Sequence, residues 1–317
     1  SLLAFSNKNR TDTNTYTYDF NNAVQGEKLS ESYSQSGGRN WALTWTSYFT
    51  DNLSMKLMYG RNDRTSVSGS PSDAECNYVT READVVDPGV PVGCSNNLSV
   101  YDRDDLRKQL RADFQWTLGD HLIRFGIDRE VNTSDLSSRY SGPGGIEYDV
   151  VKTTPGAQIP DAGVVPPGYN AYVRARRYEI FGNFESTNKA YYAEDNWSIG
   201  NNFVLNLGLR YESFNNKDAA GRSYIKMDNM ISPRLGFSWD VAGDGTTKLF
   251  GNVGRYFLPV ANVINIKQGG ALLDARTFYG FDGWQILEHD GVKYAMPKLG
   301  PQFGFSDDQG DGTVGDL

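Results

Sequence analysis

No stretch of 18 apolar residues occurs anywhere in this 317-residue chain, which excludes a membrane-spanning helix. Cysteine appears twice and histidine twice, too few for a disulfide scaffold or a histidine-rich metal site. Positive charge is in deficit: 31 Lys and Arg stand against 39 Asp and Glu, a net charge of −8. That argues against nucleic acid as a partner, because phosphate binding needs a basic face. Ala, Leu and Lys show no sustained helical period, which argues against a helical bundle. Ser1 opens no basic-then-apolar leader, so any signal peptide is expected to have been removed or to lie upstream. What is plentiful is aromatic: 19 Tyr, 16 Phe and 6 Trp, with 34 Gly between them. Such a chain is too aromatic to be disordered, and its composition points to an all-β fold.

The clearest stretches alternate with period two. Phe203, Leu205, Leu207, Leu209 and Tyr211 share one face, with Asn206, Gly208, Arg210 and Glu212 opposite. Leu53, Met55, Leu57 and Tyr59 alternate with Ser54, Lys56 and Gly60, and Ile123, Phe125 and Ile127 with Arg124, Gly126 and Asp128. Leu110, Ala112, Phe114 and Trp116 alternate with Arg107, Gln109, Arg111 and Asp113, although Lys108 falls on the apolar side. Leu235, Phe237 and Trp239 alternate with Arg234, Gly236 and Asp240. A soluble sandwich buries its apolar face against a second sheet. A membrane barrel turns that face to lipid and leaves a charged face around a wet or plugged interior.

The connections favour the barrel. Short polar turns centred near residues 51, 119, 200 and 244 each follow an aromatic, namely Phe49, Trp116, Trp197 and Trp239. Rings with one polar end prefer the headgroup level, so these four are expected to form an interfacial girdle. The opposite ends carry long segments rich in Ser, Gly, Pro, Asp and Asn, at about 62–105, 132–189, 215–229 and 259–317. Short periplasmic turns and long extracellular loops are the pattern of outer-membrane barrels. Nine strands can be counted up to Phe257, after which the alternation is lost. An odd, unclosed wall would expose hydrogen-bonding edges to lipid. Residues 1–317 are therefore expected to be an incomplete antiparallel transmembrane β-barrel, a part of something larger.

Several phrases also resemble one family. Tyr191-Tyr-Ala-Glu-Asp-Asn-Trp197, a turn, and Asn206-Leu-Gly-Leu-Arg-Tyr-Glu212 resemble a recurrent strand pair of TonB-dependent outer-membrane receptors. So do Ile231–Asp240 and Gly243–Tyr256, while Ala4–Asn9 and Thr15–Phe20 look like its Oar-like subgroup. The resemblance covers roughly residues 1–260. It implies that the nine or ten strands belong to a 22-stranded barrel in the bacterial outer membrane. It further implies a globular plug, an inner-membrane energy-transducing complex as partner, and uptake of a bulky solute such as a siderophore, oligosaccharide or peptide through plug rearrangement. The sequence itself carries no plug, no motif for the energy transducer and no terminal aromatic strand. The alternative is a non-transporting structural or adhesion barrel.

Chemistry candidates are few. Cys76 and Cys94 lie 18 positions apart in an external segment, where oxidising surroundings favour a disulfide over two thiols. The inward set Arg107, Arg111, Asp113, Arg124, Asp128, Arg210, Glu212 and Arg234 mixes both signs. That favours a cross-strand ion-pair ladder over a lining that contacts plug or solute. Asp307, Asp308, Asp311 and Asp316 offer oxygens to calcium without a full binding loop, so neither metal nor other cofactor is expected. Ser223-Tyr-Ile-Lys226 lacks its companion motifs, Gly251-Asn-Val-Gly254 lacks a third glycine, and His121 and His289 have no nucleophile nearby in sequence. No enzyme is expected. Tyr16, Tyr18, Tyr33, Tyr78, Tyr169 and Tyr172 fall in external segments, where rings stack on ligands or pack loops together.

Overall fold

A computed structural model describes residues 1–309. The strands before the first long excursion are β1 (Leu2–Ser6), β2 (Asn9–Asp19), β3 (Val24–Tyr48) and β4 (Leu53–Gly69). There follow β5 (Val79–Arg81), β6 (Ser99–Leu118), β7 (His121–Tyr140), β8 (Ile146–Lys152), β9 (Gln158–Ile159) and β10 (Gly163–Val164). The remainder is β11 (Ala171–Ile199), β12 (Phe203–Lys217), β13 (Ser223–Asp240), β14 (Lys248–Gly254), helix α1 (Asn262–Gly269), β15 (Ala271–His289) and β16 (Val292–Gln309).

Ser6 faces Arg39 and Asn9 faces Ser36, so β1 and β2 keep one register along β3 and act as a single strand. Nine wall strands then run in the order β1/β2, β3, β4, β6, β7, β11, β12, β13, β14, each antiparallel to its neighbours. The wall does not close on itself among the described residues. Its short turns are dictated locally. Leu118 faces His121, leaving only Gly119 and Asp120 to reverse the chain, and Gly119 adopts φ 57°. A left-handed residue there matches the twist of the flanking strands. At the wider turn, the Asp240 carboxylate accepts from the Gly243 and Gly245 amides at 3.1 and 2.8 Å, so the loop wraps around one side chain.

Register fixes the two faces of the wall. Trp45, Leu57, Ala112, Ile127, Tyr191, Tyr211 and Ile231 lie side by side on the outward face. One residue along each strand, Thr46, Lys56, Asp113, Gly126, Tyr192, Arg210 and Ser232 form the inward row. The outward belt has no protein cover: Trp45 is 60% exposed and Leu209 54%. An apolar band of this extent would be a severe liability in water and is what a bilayer requires.

The external region departs from the sequence expectation. The segments at 62–105, 132–189 and 215–229 are shorter as loops, because β4 continues to Gly69, β6 starts at Ser99, β7 continues to Tyr140, β11 starts at Ala171, and β12 and β13 reach Lys217 and Ser223. Residues 259–309 are not irregular either, since they hold α1 and the long β15–β16 hairpin. The physical reason is pairing. Above the wall, β11 keeps partners on both edges, β8 from Arg177 to Ala171 and β15 from Phe181 to Tyr172. β5 and β16 flank these, giving an external sheet in the order β5-β8-β11-β15-β16. Val85, Val150 and Val173 form a buried core on its outward side, with Phe281 and Trp284 packed against them. On the inward side α1 lays Ile266 over Leu136, Ile180 and Phe184.

Candidate functional site

All eight inward charges expected from the sequence share one face of the wall. Arg111, Asp113, Arg124, Arg210 and Arg234 line a cleft of about 540 Å³, joined by Lys56, Gln115, Tyr192 and Glu194. Asp128 and Glu212 stand in the same row as Arg111, at its upper edge, and Arg107 stands above them. The pairing is only partly cross-strand. Arg111 Nε meets Asp113 at 2.8 Å and Arg210 Nε meets Glu212 at 2.8 Å, each two residues along its own strand. Residues i and i+2 share a face, and the guanidinium stem spans that gap. Cross-strand pairs are Arg107–Glu130 and Arg124–Glu194, the latter at 3.3 Å. Half-exposed pairs of this kind contribute roughly 0–1 kcal/mol each, so they order the wall more than they stabilise it.

Tyr192 is the member that alternation alone does not reveal. Its hydroxyl donates to Asp113 Oδ1 across the intervening strand β7. The crossing is open because Gly126 stands between them; a Cβ there would lie 2.8 Å from the Tyr192 hydroxyl oxygen. Two cations in the cleft, Lys56 and Arg234, make no ion pair among the described residues. Arg234 instead packs its guanidinium 4.7 Å from the centre of the Tyr256 ring.

Above the wall the same face of β11 carries a second cluster. Arg176 makes two bonds of 2.8 Å to Asp274 on β15, and its guanidinium lies 5.7 and 5.4 Å from the rings of Tyr140 and Tyr178. Arg276 shares Asp274 at 2.7 Å, and Arg174 meets Asp149 at 3.0 Å. The hydrogen bond from Arg176 holds the Asp274 carboxyl below the usual carboxylate range. Burial pushes the neighbouring Glu147 carboxyl up, against the pull of Arg174. The helix above is anchored by polar contacts: Asn216 Nδ2 donates to Asn265 Oδ1 at 2.9 Å, and the Tyr224 hydroxyl donates to the same oxygen at 2.6 Å.

The remaining expected residues fall as follows. Cys76 and Cys94 are joined in a disulfide with Cα atoms 5.2 Å apart. Their loop is pinned to the β15–β16 hairpin: the Gly93 amide donates to the Ala295 carbonyl on β16 at 2.9 Å, and Trp284 Nε1 on β15 donates to the Val86 carbonyl at 2.8 Å. Phe49, Trp116, Trp197 and Trp239 are all solvent-exposed beside the short turns, at 55, 41, 36 and 38%. His121 is not solitary: Nδ1 lies 2.7 Å from Asp195 Oδ2, and its ring stacks on Trp197. Asp307 and Asp308 are consecutive positions of β16, while Asp311 and Asp316 lie outside the described residues. No group of three or more potential metal ligands occurs among the described residues. Among the external tyrosines, Tyr16 and Tyr18 are exposed on β2, Tyr169 donates to Asp282 at 3.0 Å, and Tyr172 packs on Phe278 and Phe303.

Two similarities accompany this geometry. A family model described as an outer membrane beta barrel domain matches residues 2–222, from β1 to the turn before β13. The TonB-dependent transporter Oar of Myxococcus xanthus is 28% identical over 144 residues, which is 44% of this chain and 13% of that protein. The match therefore spans only a small share of the length of that relative.

Proposed function

This chain belongs to the outer membrane beta barrel domain family and resides in the bacterial outer membrane, and on that footing we propose that it forms the wall and external loops of a TonB-dependent transporter. The partial similarity to Oar supports this reading, including placement in an Oar-like subgroup. The observation that carries it is the inner wall. Among the described residues nine wall strands extend side by side without closing, and their inward charges remain part-exposed around a cleft of about 540 Å³. A barrel closing at eight or nine strands would fill its interior with its own side chains. A wider one, of about 22 strands as the family resemblance implies, leaves room for a separate plug. The unpaired Lys56 and Arg234 would face that plug or the passing solute. In this reading a bulky solute is captured at the rim and passes when an inner-membrane energy-transducing complex rearranges the plug. No catalytic step and no cofactor is asked of these residues.

The test compares wild-type and gene-deleted cells by mass spectrometry of the solutes each removes from a complex medium. A bulky solute taken up only by wild-type cells, and no longer when an uncoupler collapses the proton-motive force, is expected. Identical uptake profiles would contradict transport and leave the adhesion barrel.

A further inference from the structure

Lys108 breaks the apolar pattern of its strand, and register shows that it does not do so alone. On the outward face, Arg61 on β4 lies directly opposite Lys108 on β6, and Arg129 on β7 lies directly opposite Lys189 on β11. Leu110 joins the two pairs, being the register partner of both Tyr59 and Arg129. Like charges facing each other across a sheet are destabilising. Arg61 is relieved by Asp63 at 2.8 Å, and further outward carboxylates stand higher up: Glu185 is held by Lys217 at 2.8 Å, Asp104 accepts from the Thr65 hydroxyl at 2.6 Å, and Asp135 lies opposite Asp104, six residues above Arg129. Lys108, Arg129 and Lys189 are exposed and have no carboxylate partner among the described residues.

Their height is equally specific. Each cation stands eight or ten residues up its strand from the periplasmic end: Leu53 to Arg61, Leu118 to Lys108, His121 to Arg129 and Ile199 to Lys189. Eight to ten residues span about 26 to 33 Å along a strand, or roughly 20 to 25 Å of membrane depth at a tilt near 40°. That brings all four to the outer-leaflet interface, just above Tyr59, Tyr191 and Tyr211, whose rings suit the headgroup level. A single lysine at such a depth is ordinary snorkelling. Four cations from four consecutive strands, converging in two opposed pairs, instead present a multivalent surface for phosphate.

We infer that Arg61, Lys108, Arg129 and Lys189 form a docking surface for a phosphorylated glycolipid of the outer leaflet. Its phosphate groups sit between the opposed cations and its acyl chains lie along the belt below. The phosphates supply the counter-charge that Lys108, Arg129 and Lys189 lack. This inference rests on the outer-membrane location alone and not on transport, so uptake and lipid binding can fail separately.

The full-length protein, extracted in detergent, is heated with increasing amounts of bisphosphorylated lipid A, of the same lipid after enzymatic dephosphorylation, or of inorganic phosphate. The phosphorylated lipid should raise Tm, and the other two should not at matching concentrations. In the K108Q/R129Q/K189Q variant at least tenfold more lipid should be needed for the same shift. Native mass spectrometry of the wild-type protein supplies a readout that does not depend on the variant folding. It should retain bisphosphorylated over dephosphorylated lipid, and lose that preference at high salt. Equal stabilisation by dephosphorylated lipid or by inorganic phosphate would overturn the inference. So would unchanged affinity in the triple variant, or equal retention of the two lipids by the wild type.

Discussion

Strand β11 passes through two solvents, and its outward face differs accordingly. In the wall, Tyr191 on that face is 55% exposed, whereas in the external sheet Val173, on the same face, is 0% exposed. Below, acyl chains cover the apolar side, so the protein supplies nothing. Above, water would meet Val173 and Val150, so the loop carrying Val85 folds down over them. The inward face changes too. Within the wall it keeps charged side chains part-exposed around a cleft, but at the mouth Phe184 and Ile180 are buried under α1. The membrane section thus needs only pairing and alternation, while the external section must build cores of its own.

Breaking the external cores should cost most. Phe184→Ala empties a fully buried position and should destabilise the mouth by about 4 kcal/mol, with α1 losing hydrogen-exchange protection while the wall keeps its own. Replacing both cysteines, C76S/C94S, removes an 18-residue loop closure and should cost about 3 kcal/mol, seen as faster proteolysis within residues 70–98. Leu209→Arg probes the wall instead. It would be nearly neutral on a water-facing surface but should cost about 2 to 3 kcal/mol in a bilayer, measured by urea titration in vesicles.

The smallest effect sharpens the electrostatic half of the comparison. Burial raises the Glu147 carboxyl, so its charged form is disfavoured in the folded protein. Stability associated with the neutral form is present at acid pH and lost as pH climbs from the ordinary carboxylate range through the raised value. Glu147→Gln should therefore modestly stabilise β8 at neutral pH, with the gain vanishing in acid. Asp274 works in the opposite direction: its contribution is present at neutral pH and lost as pH falls through its lowered pKa. Hydrogen exchange of β8 and β15 across acid and neutral pH separates the two.

The wall was legible because its alternation is long and local. Phe203–Tyr211 and Leu53–Tyr59 display both faces without help from tertiary contacts. The external sheet was not, although one signal was present. Asp290-Gly291, with φ 50° and 81°, is a two-residue hairpin turn between His289 and Val292. The flanking pattern hid it, because β15 and β16 slip register between Phe278 and Trp284, near Gly280, Gly283 and Gly300. Tyr192 illustrates a second limit. Adjacent tyrosines at 191 and 192 look alike in sequence, and only the register that sets Gly126 opposite Tyr192 turns one to lipid and the other to Asp113. The ion pairs within single strands escaped for a simpler reason, since alternation assigns a face but not a partner.

The direction of the apolar face can be measured along one strand. Spin labels placed singly at Leu205, Asn206, Leu207, Leu209, Arg210 and Tyr211 of the full-length protein in vesicles report access to oxygen, which partitions into lipid, and to a nickel complex, which stays in water. Oxygen access should peak at 205, 207, 209 and 211, and nickel access at 206 and 210. Odd-numbered labels shielded from both reagents, as beneath a second protein layer, would contradict a wall facing lipid.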